Sequence, residues 1–175
     1  VVFTRGAIHR EASVAGVLPR ANTLLRRHPK LVRRPQALCS NLDLVLLVLS
    51  AEPDFHEGMV DRVLVSCHAQ GLNAAIVLNK VDLIPEGTRS RWDMEDRLDV
   101  YERAGYAVLW VSAITGEGIP ALRDALASGT SIFIGNSGVG KSHLLNALGE
   151  GRIEVRVGEL NERLRLGTHT TTTTT

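Results

Sequence analysis

Residues 44–49 (LVLLVL) form an unbroken aliphatic run, and no other feature constrains the fold of this chain as strongly. A segment this short and this uniformly apolar reads as a strand buried on both faces, the situation found inside a parallel sheet. The predicted strand extends over 42–50. It is far short of the ~20 apolar residues that a spanning helix needs. No charged-then-apolar signal segment opens the chain, so neither membrane nor export is expected. Further apolar runs then alternate with amphipathic stretches. Val60, Val63, Leu64 and Cys67 share one face of a helix over 56–70, which Gly71 can stop. Residues 74–78 read as a second strand, and Met94, Leu98 and Tyr101 mark a helix over 88–104 that ends at Gly105. A strand over 106–111, a helix over 119–127, a strand over 131–134 and a helix over 141–148 complete the series. The predicted class is α/β, with a mostly parallel sheet covered on both faces. In such sheets ligands sit beyond the carboxyl ends of the strands.

Residues 1–40 do not follow that rhythm. Residues 1–4 and 14–18 read as short strands separated by basic turns, and Pro19, Pro29 and Pro35 interrupt the remainder. This part is expected to be the remnant of a small β domain plus a linker, followed by the α/β domain over 41–175. Charge separates the regions as well. Residues 1–35 carry eight Lys and Arg against Glu11 alone, although the net charge of the whole chain is only +1. A basic arm on an acidic body suggests a polyanionic partner such as nucleic acid; a solvated surface or linker is the alternative. Cys39 and Cys67 lack metal-ligand spacing and read as reduced thiols of a cytoplasmic protein, with Cys67 in the core.

Gly135-Asn136-Ser137-Gly138-Val139-Gly140-Lys141-Ser142 has the spacing of a phosphate-binding loop between a strand and a helix. Backbone amides must converge on phosphate oxygens, and side chains at Gly138 or Gly140 would obstruct them. The following helix brings its positive end to the same place. Lys141 would neutralise the β- and γ-phosphates, and the Ser142 hydroxyl would ligate Mg²⁺. His143 reads as a backbone phosphate contact or a surface residue. No asparagine stands at the Gly138 position, so potassium activation is not indicated.

The base is indicated by Asn79-Lys80-Val81-Asp82, directly after the second strand. A carboxylate at Asp82 can accept both the N1 and N2 hydrogens of guanine, whereas adenine would leave it desolvated and unpaired. The Lys80 stem can lie across the base, and Asn79 can tie the pocket to the phosphate loop. Read alone, this tetrapeptide could also be a polar turn. Ser112-Ala113-Ile114-Thr115-Gly116 follows the next strand, where Ser112 would brace the loop and the small Ala113 would let a backbone amide reach the guanine O6. Three motifs at three strand ends point to a guanine nucleotide, GTP or GDP, held with Mg²⁺.

The order of these motifs is permuted, with the base motifs preceding the phosphate loop. A sheet tolerates this because function needs only the position of each strand end. The original termini are expected to be joined near 128–130. With this order the chain resembles the ribosome-small-subunit-dependent GTPase A family of bacterial assembly factors. The resemblance is carried by 76–83, 112–116, 135–146 and Gly167-Thr168-His169-Thr170-Thr171-Thr172, and 16–27 also resembles the family's exit from an N-terminal OB-fold. It implies a circularly permuted P-loop GTPase domain preceded by an OB-like remnant, in a protein whose remaining parts include a zinc-binding C-terminal domain. Neither Asp-x-x-Gly nor a Cys/His cluster occurs in the sequence, so the chain is expected to be a portion cut after switch I.

The resemblance further implies hydrolysis of GTP to GDP and phosphate by positioning and electrostatics. His169 would orient the attacking water, or else be a solvated loop histidine. One of Thr170, Thr171 and Thr172, taken here as Thr171, would complete the Mg²⁺ shell. The implied partners are the 30S subunit and its 16S rRNA, met by a monomeric cytoplasmic protein. Two other readings stay open: a permuted GTPase serving the large subunit or another RNA complex, and a nucleotide-regulated binding module with negligible turnover.

Overall fold

A computed structural model describes residues 2–5, 12–17, 19–27, 35–127 and 129–149. The chain divides into two units, Val1–Asn41 and Leu42–Thr175. In the first, β1 (Val2–Arg5) pairs antiparallel with β2 (Ala12–Gly16), and β3 (Thr23–Arg27) pairs antiparallel with β4 (Pro35–Ser40). The second pair departs from the expected linker. Pro35 stands at the first position of β4, where a missing N–H is tolerated, so it starts the strand rather than interrupting it. Thr23 and Ser40 join their hydroxyls across the pair at 3.1 Å. Asn41 then takes positive φ and fastens the incoming chain, accepting from the Ala21 amide at 2.7 Å and donating to the Pro19 carbonyl.

In the second unit the aliphatic run becomes β5 (Leu44–Ser50). It lies between β6 (Ala74–Asn79) and β8 (Ser131–Ile134), parallel to both, with Leu47 opposite Ile76 and Ile134. Strand β7 (Ala107–Trp110) continues the sheet beyond β6, giving the order β7-β6-β5-β8. Alternate residues of β5 feed two cores. Leu47 and Leu49 pack with α1 (Glu57–Ala69) and α2 (Arg89–Arg103), through Val60, Leu64, Met94 and Leu98. Leu46 and Val48 pack with α3 (Ile119–Ala125) and α4 (Lys141–Leu148), through Leu122 and Leu144. Two covered faces explain why period-2 alternation is missing from this strand.

The helices begin where local chemistry allows. The Thr88 hydroxyl accepts from the Arg91 amide at 3.3 Å, and the His56 Nδ1 accepts from the Gly58 amide at 3.1 Å. Both residues lie one position outside their helices and offer a side-chain acceptor to a first-turn amide. The segment that leads from α3 into β8 is pinned to the start of β5. The Asp43 amide donates to the Thr130 carbonyl at 2.8 Å, and the Thr130 amide donates back to the Asp43 carboxylate at 2.7 Å. Gly129 lies between them at φ 88°, where a Cβ would overlap that carboxylate. The phosphate-loop strand is thereby set beside β5 although it comes last in the sequence.

Candidate nucleotide site

The carboxyl ends of β6, β7 and β8 carry the loops named from sequence. Asn79 ends β6 and is 1% exposed. Its amide nitrogen donates to the Val139 carbonyl of the phosphate loop at 2.8 Å, and its oxygen accepts from the Ala113 amide at 3.2 Å. One buried side chain therefore joins the three motifs. Across 60 residues of sequence, the 2.8 Å bond fixes how far the base loop stands from the phosphate loop.

Lys80 follows with φ 65°, a left-handed conformation unusual for a side chain of this size. That backbone turn directs its ammonium to the Glu52 carbonyl, beyond β5, at 2.5 Å. Val81 is buried in the core, and its amide donates to the Val111 carbonyl at 3.2 Å, so it anchors the motif. Asp82 is half-buried and accepts from the Ser112 hydroxyl at 2.5 Å. The same Ser112 oxygen accepts from the amides of Ile114 at 3.3 Å and Thr115 at 3.1 Å. Ser112 is fully buried and thus braces its own loop and Asp82 together. The Ala113 amide, expected to reach toward the base, is engaged by Asn79 at 3.2 Å.

The phosphate loop is organised by its backbone. Gly140 has φ 90° and precedes α4, so the first-turn amides of that helix face the loop. A Cβ at Gly140 would overlap the Asn79 amide nitrogen. The glycine is therefore required by contact with the base motif, a reason additional to the phosphate clearance expected from sequence. Lys141 folds back and donates to the carbonyls of Gly135 at 3.0 Å and Asn136 at 2.7 Å. Burial pushes its ammonium below the usual lysine range. Asn136, Ser137 and His143 are exposed, Gly135, Gly138 and Ser142 are half-buried, and Val139 packs in the α3–α4 core. His169 and Thr171, with Thr170 and Thr172, lie outside the described residues.

Two contributors were not singled out from the sequence. Glu52 acts through a main-chain carbonyl, for which its side chain gives no signal. Arg97, on α2, holds the segment after β5. Its Nε donates to Glu57 at 2.6 Å, its Nη1 to Asp54 at 2.9 Å, and its Nη2 to the Phe55 carbonyl at 2.8 Å. The guanidinium also lies 4.1 Å from the centre of the Phe55 ring. Burial alone would lower the Arg97 pKa, but its bonds to Asp54 and Glu57 outweigh that and raise it. Among the described residues no buried side-chain nitrogen or oxygen lacks a partner.

Fold and loops together define a circularly permuted P-loop GTPase domain. Residues 17–175 match the RsgA GTPase family, and the chain belongs to that family. It is 38% identical over 177 residues to a Mannheimia succiniciproducens protein named "Small ribosomal subunit biogenesis GTPase RsgA", covering 98% of this chain and 48% of the relative. A Hahella chejuensis protein of the same name is 41% identical over 173 residues, covering 99% and 48%. Among solved structures, YjeQ from Thermotoga maritima superposes with a TM-score of 0.65 at 32% identity, covering 83% of this chain and 48% of that one. YloQ, described as a circularly permuted GTPase, gives 0.57 at 30% identity, covering 87% and 49%. The chain thus spans about half the length of the curated relatives it matches.

Proposed function

We propose that this protein binds and hydrolyses GTP and acts in late maturation of the 30S ribosomal subunit. The observation that carries the nucleotide part is the Asn79 side chain, which couples both base loops to the phosphate loop. In this reading Asp82 selects guanine, the Lys80 stem covers the base, and the Ala113 backbone lies close to O6. The amides of residues 135–140 and the first turn of α4 cradle the phosphates. Lys141 leaves its two loop carbonyls and neutralises phosphate charge.

Magnesium fits the residues present. The Ser142 hydroxyl, at the start of α4 beside Lys141, would hold the ion, with Thr171 as second protein ligand. The ion supplies charge neutralisation on the transferred phosphoryl group. His169 would orient the attacking water. Among the described residues no group of three or more His, Cys, Asp or Glu side chains could hold a metal ion, and zinc would belong to the C-terminal domain that the resemblance implies.

The ribosomal part is supported by family membership and by the names of the relatives. The basic residues of 1–35, read as the end of an OB-like domain, would meet 16S rRNA, and the protein would work as a cytoplasmic monomer. No helix among the described residues is long and apolar enough to cross a membrane. The test is phosphate release by the protein with 30S subunits, with 50S subunits and in buffer, across a salt series. Stimulation by 30S alone that fades steeply with salt, as counterion release demands, is expected. Equal rates in all three would contradict the small-subunit assignment and leave the GTPase assignment standing.

A further inference from the structure

The Lys80 side chain ends on a main-chain acceptor. Its ammonium lies on the Glu52 carbonyl, and its Cε comes within 4.0 Å of where a Gly140 Cβ would stand. The stem therefore runs along the phosphate loop to a fixed point beyond β5. That fixed point belongs to a short irregular segment, 51–56, whose own anchoring decides how firmly the lysine is held. Near β5 the Ser50 hydroxyl donates to the Pro53 carbonyl at 2.8 Å, and the Ala51 amide donates to the Asn79 carbonyl at 3.1 Å. Farther out His56 accepts from the first-turn amides of α1 and Phe55 packs in the core, and among the described residues the one tie to another helix through charged side chains is Arg97. Arg97 bonds Asp54, Phe55 and Glu57 simultaneously and stacks on the Phe55 ring. Its planar fork satisfies three acceptors in one orientation, which a lysine cannot do.

We propose that Arg97 is a positioning residue for the base pocket, fixing segment 51–57 so that the Glu52 carbonyl holds Lys80 flat across a purine ring. The proposal rests on the reading of Lys80 as a base-covering residue. Arg97 touches neither base nor phosphate, and it acts only through the Glu52–Lys80 contact. A purely structural Arg97 would lower stability and weaken every ligand alike.

The experiment compares binding of GDP and of inorganic tripolyphosphate, a probe with no base, by calorimetry. The proteins are the wild type, Arg97→Met, Lys80→Ala and the double variant. Arg97→Met should weaken GDP roughly five- to tenfold, the scale of coupling within one hydrogen-bonded network. Tripolyphosphate affinity should not change, and in the Lys80→Ala background the Arg97 substitution should cost nothing further. Equal losses for both ligands, or the same GDP loss without Lys80, would overturn the positioning role. A Lys80→Ala variant with unaltered GDP affinity would instead overturn the base-pocket reading, and the proposal with it. Should Arg97→Met fail to fold, Arg97→Lys keeps the charge without the fork and is expected to show the same pattern at smaller amplitude.

Discussion

The base side and the phosphate side of this site are built by different means. The base side is held by side chains. Asn79, Lys80, Asp82 and Ser112 each have a protein partner within 3.2 Å. The phosphate side is held by backbone geometry, and its one cation is turned onto its own loop carbonyls. In the proposed reading the groups that would distinguish purines are braced before a ligand arrives. Phosphate binding in that reading would instead require a rearrangement, in which Lys141 exchanges the two neutral carbonyls for charged oxygens. Burial depresses the Lys141 pKa, so its charge is costly in the folded protein until an anion compensates it.

Lys141→Ala should show the largest effect. Charge-assisted hydrogen bonds to phosphate contribute on the order of 3 kcal/mol, so GDP affinity is expected to fall by about 100-fold or more. The unfolding midpoint without nucleotide should stay level or rise, because the folded state loses a charge that burial disfavours. Calorimetric titration and thermal melts check both halves; unchanged affinity would reduce 135–142 to a structural turn.

Next in size is Asn79→Ala, which tests whether the two sides are one unit. The substitution leaves the Val139 carbonyl and the Ala113 amide without their partner, at a cost of about 1–3 kcal/mol in stability. Base-dependent and phosphate-dependent affinity should fall together, as GDP and tripolyphosphate titrations would register. Loss of base discrimination alone would mean that the sides are independent.

The smallest effect is expected at Glu57, in the segment behind Lys80. Its pKa is lowered from 4.5, first by a backbone hydrogen bond at the start of α1 and then by Arg97. A carboxylate with a depressed folded pKa stabilises above its unfolded value, and that contribution disappears as pH falls through the folded value. Glu57→Gln should therefore lower the denaturation midpoint by a constant small amount above pH 4.5, with the gap closing in more acid solution. The side chain is 46% exposed, so solvent screening keeps the gap small. A gap independent of pH down to strong acid would remove the ion pair with Arg97 from the account.

Legibility in the sequence follows the same division. Strands β5 and β6 could be read because both faces are buried, leaving the unbroken aliphatic run 44–49 and a shorter apolar run after it. The glycine-lysine loop could be read because phosphate binding restricts residue type at each position. Strands β3 and β4 were hidden by Pro35 and by the basic residues around them, since a proline at a strand's first position looks like an interruption. The Glu52 contact is made by a carbonyl that every residue possesses. Arg97 lies 40 residues from Glu57 and 43 from Asp54, so only the folded chain brings its three acceptors together.

The central claim is that the permuted loops form one pocket that selects guanine through Asp82. Competition among GTP, ATP and XTP, on wild-type protein and on Asp82→Asn, tests it directly. The account predicts GTP far ahead of ATP on the wild type. On the variant GTP should be weakened by about 1–3 kcal/mol, the scale of a bidentate base contact, and XTP should gain, because its C2 carbonyl accepts from the new amide. Wild-type affinities equal for GTP and ATP, or an Asp82→Asn variant with its GTP preference intact, would contradict it.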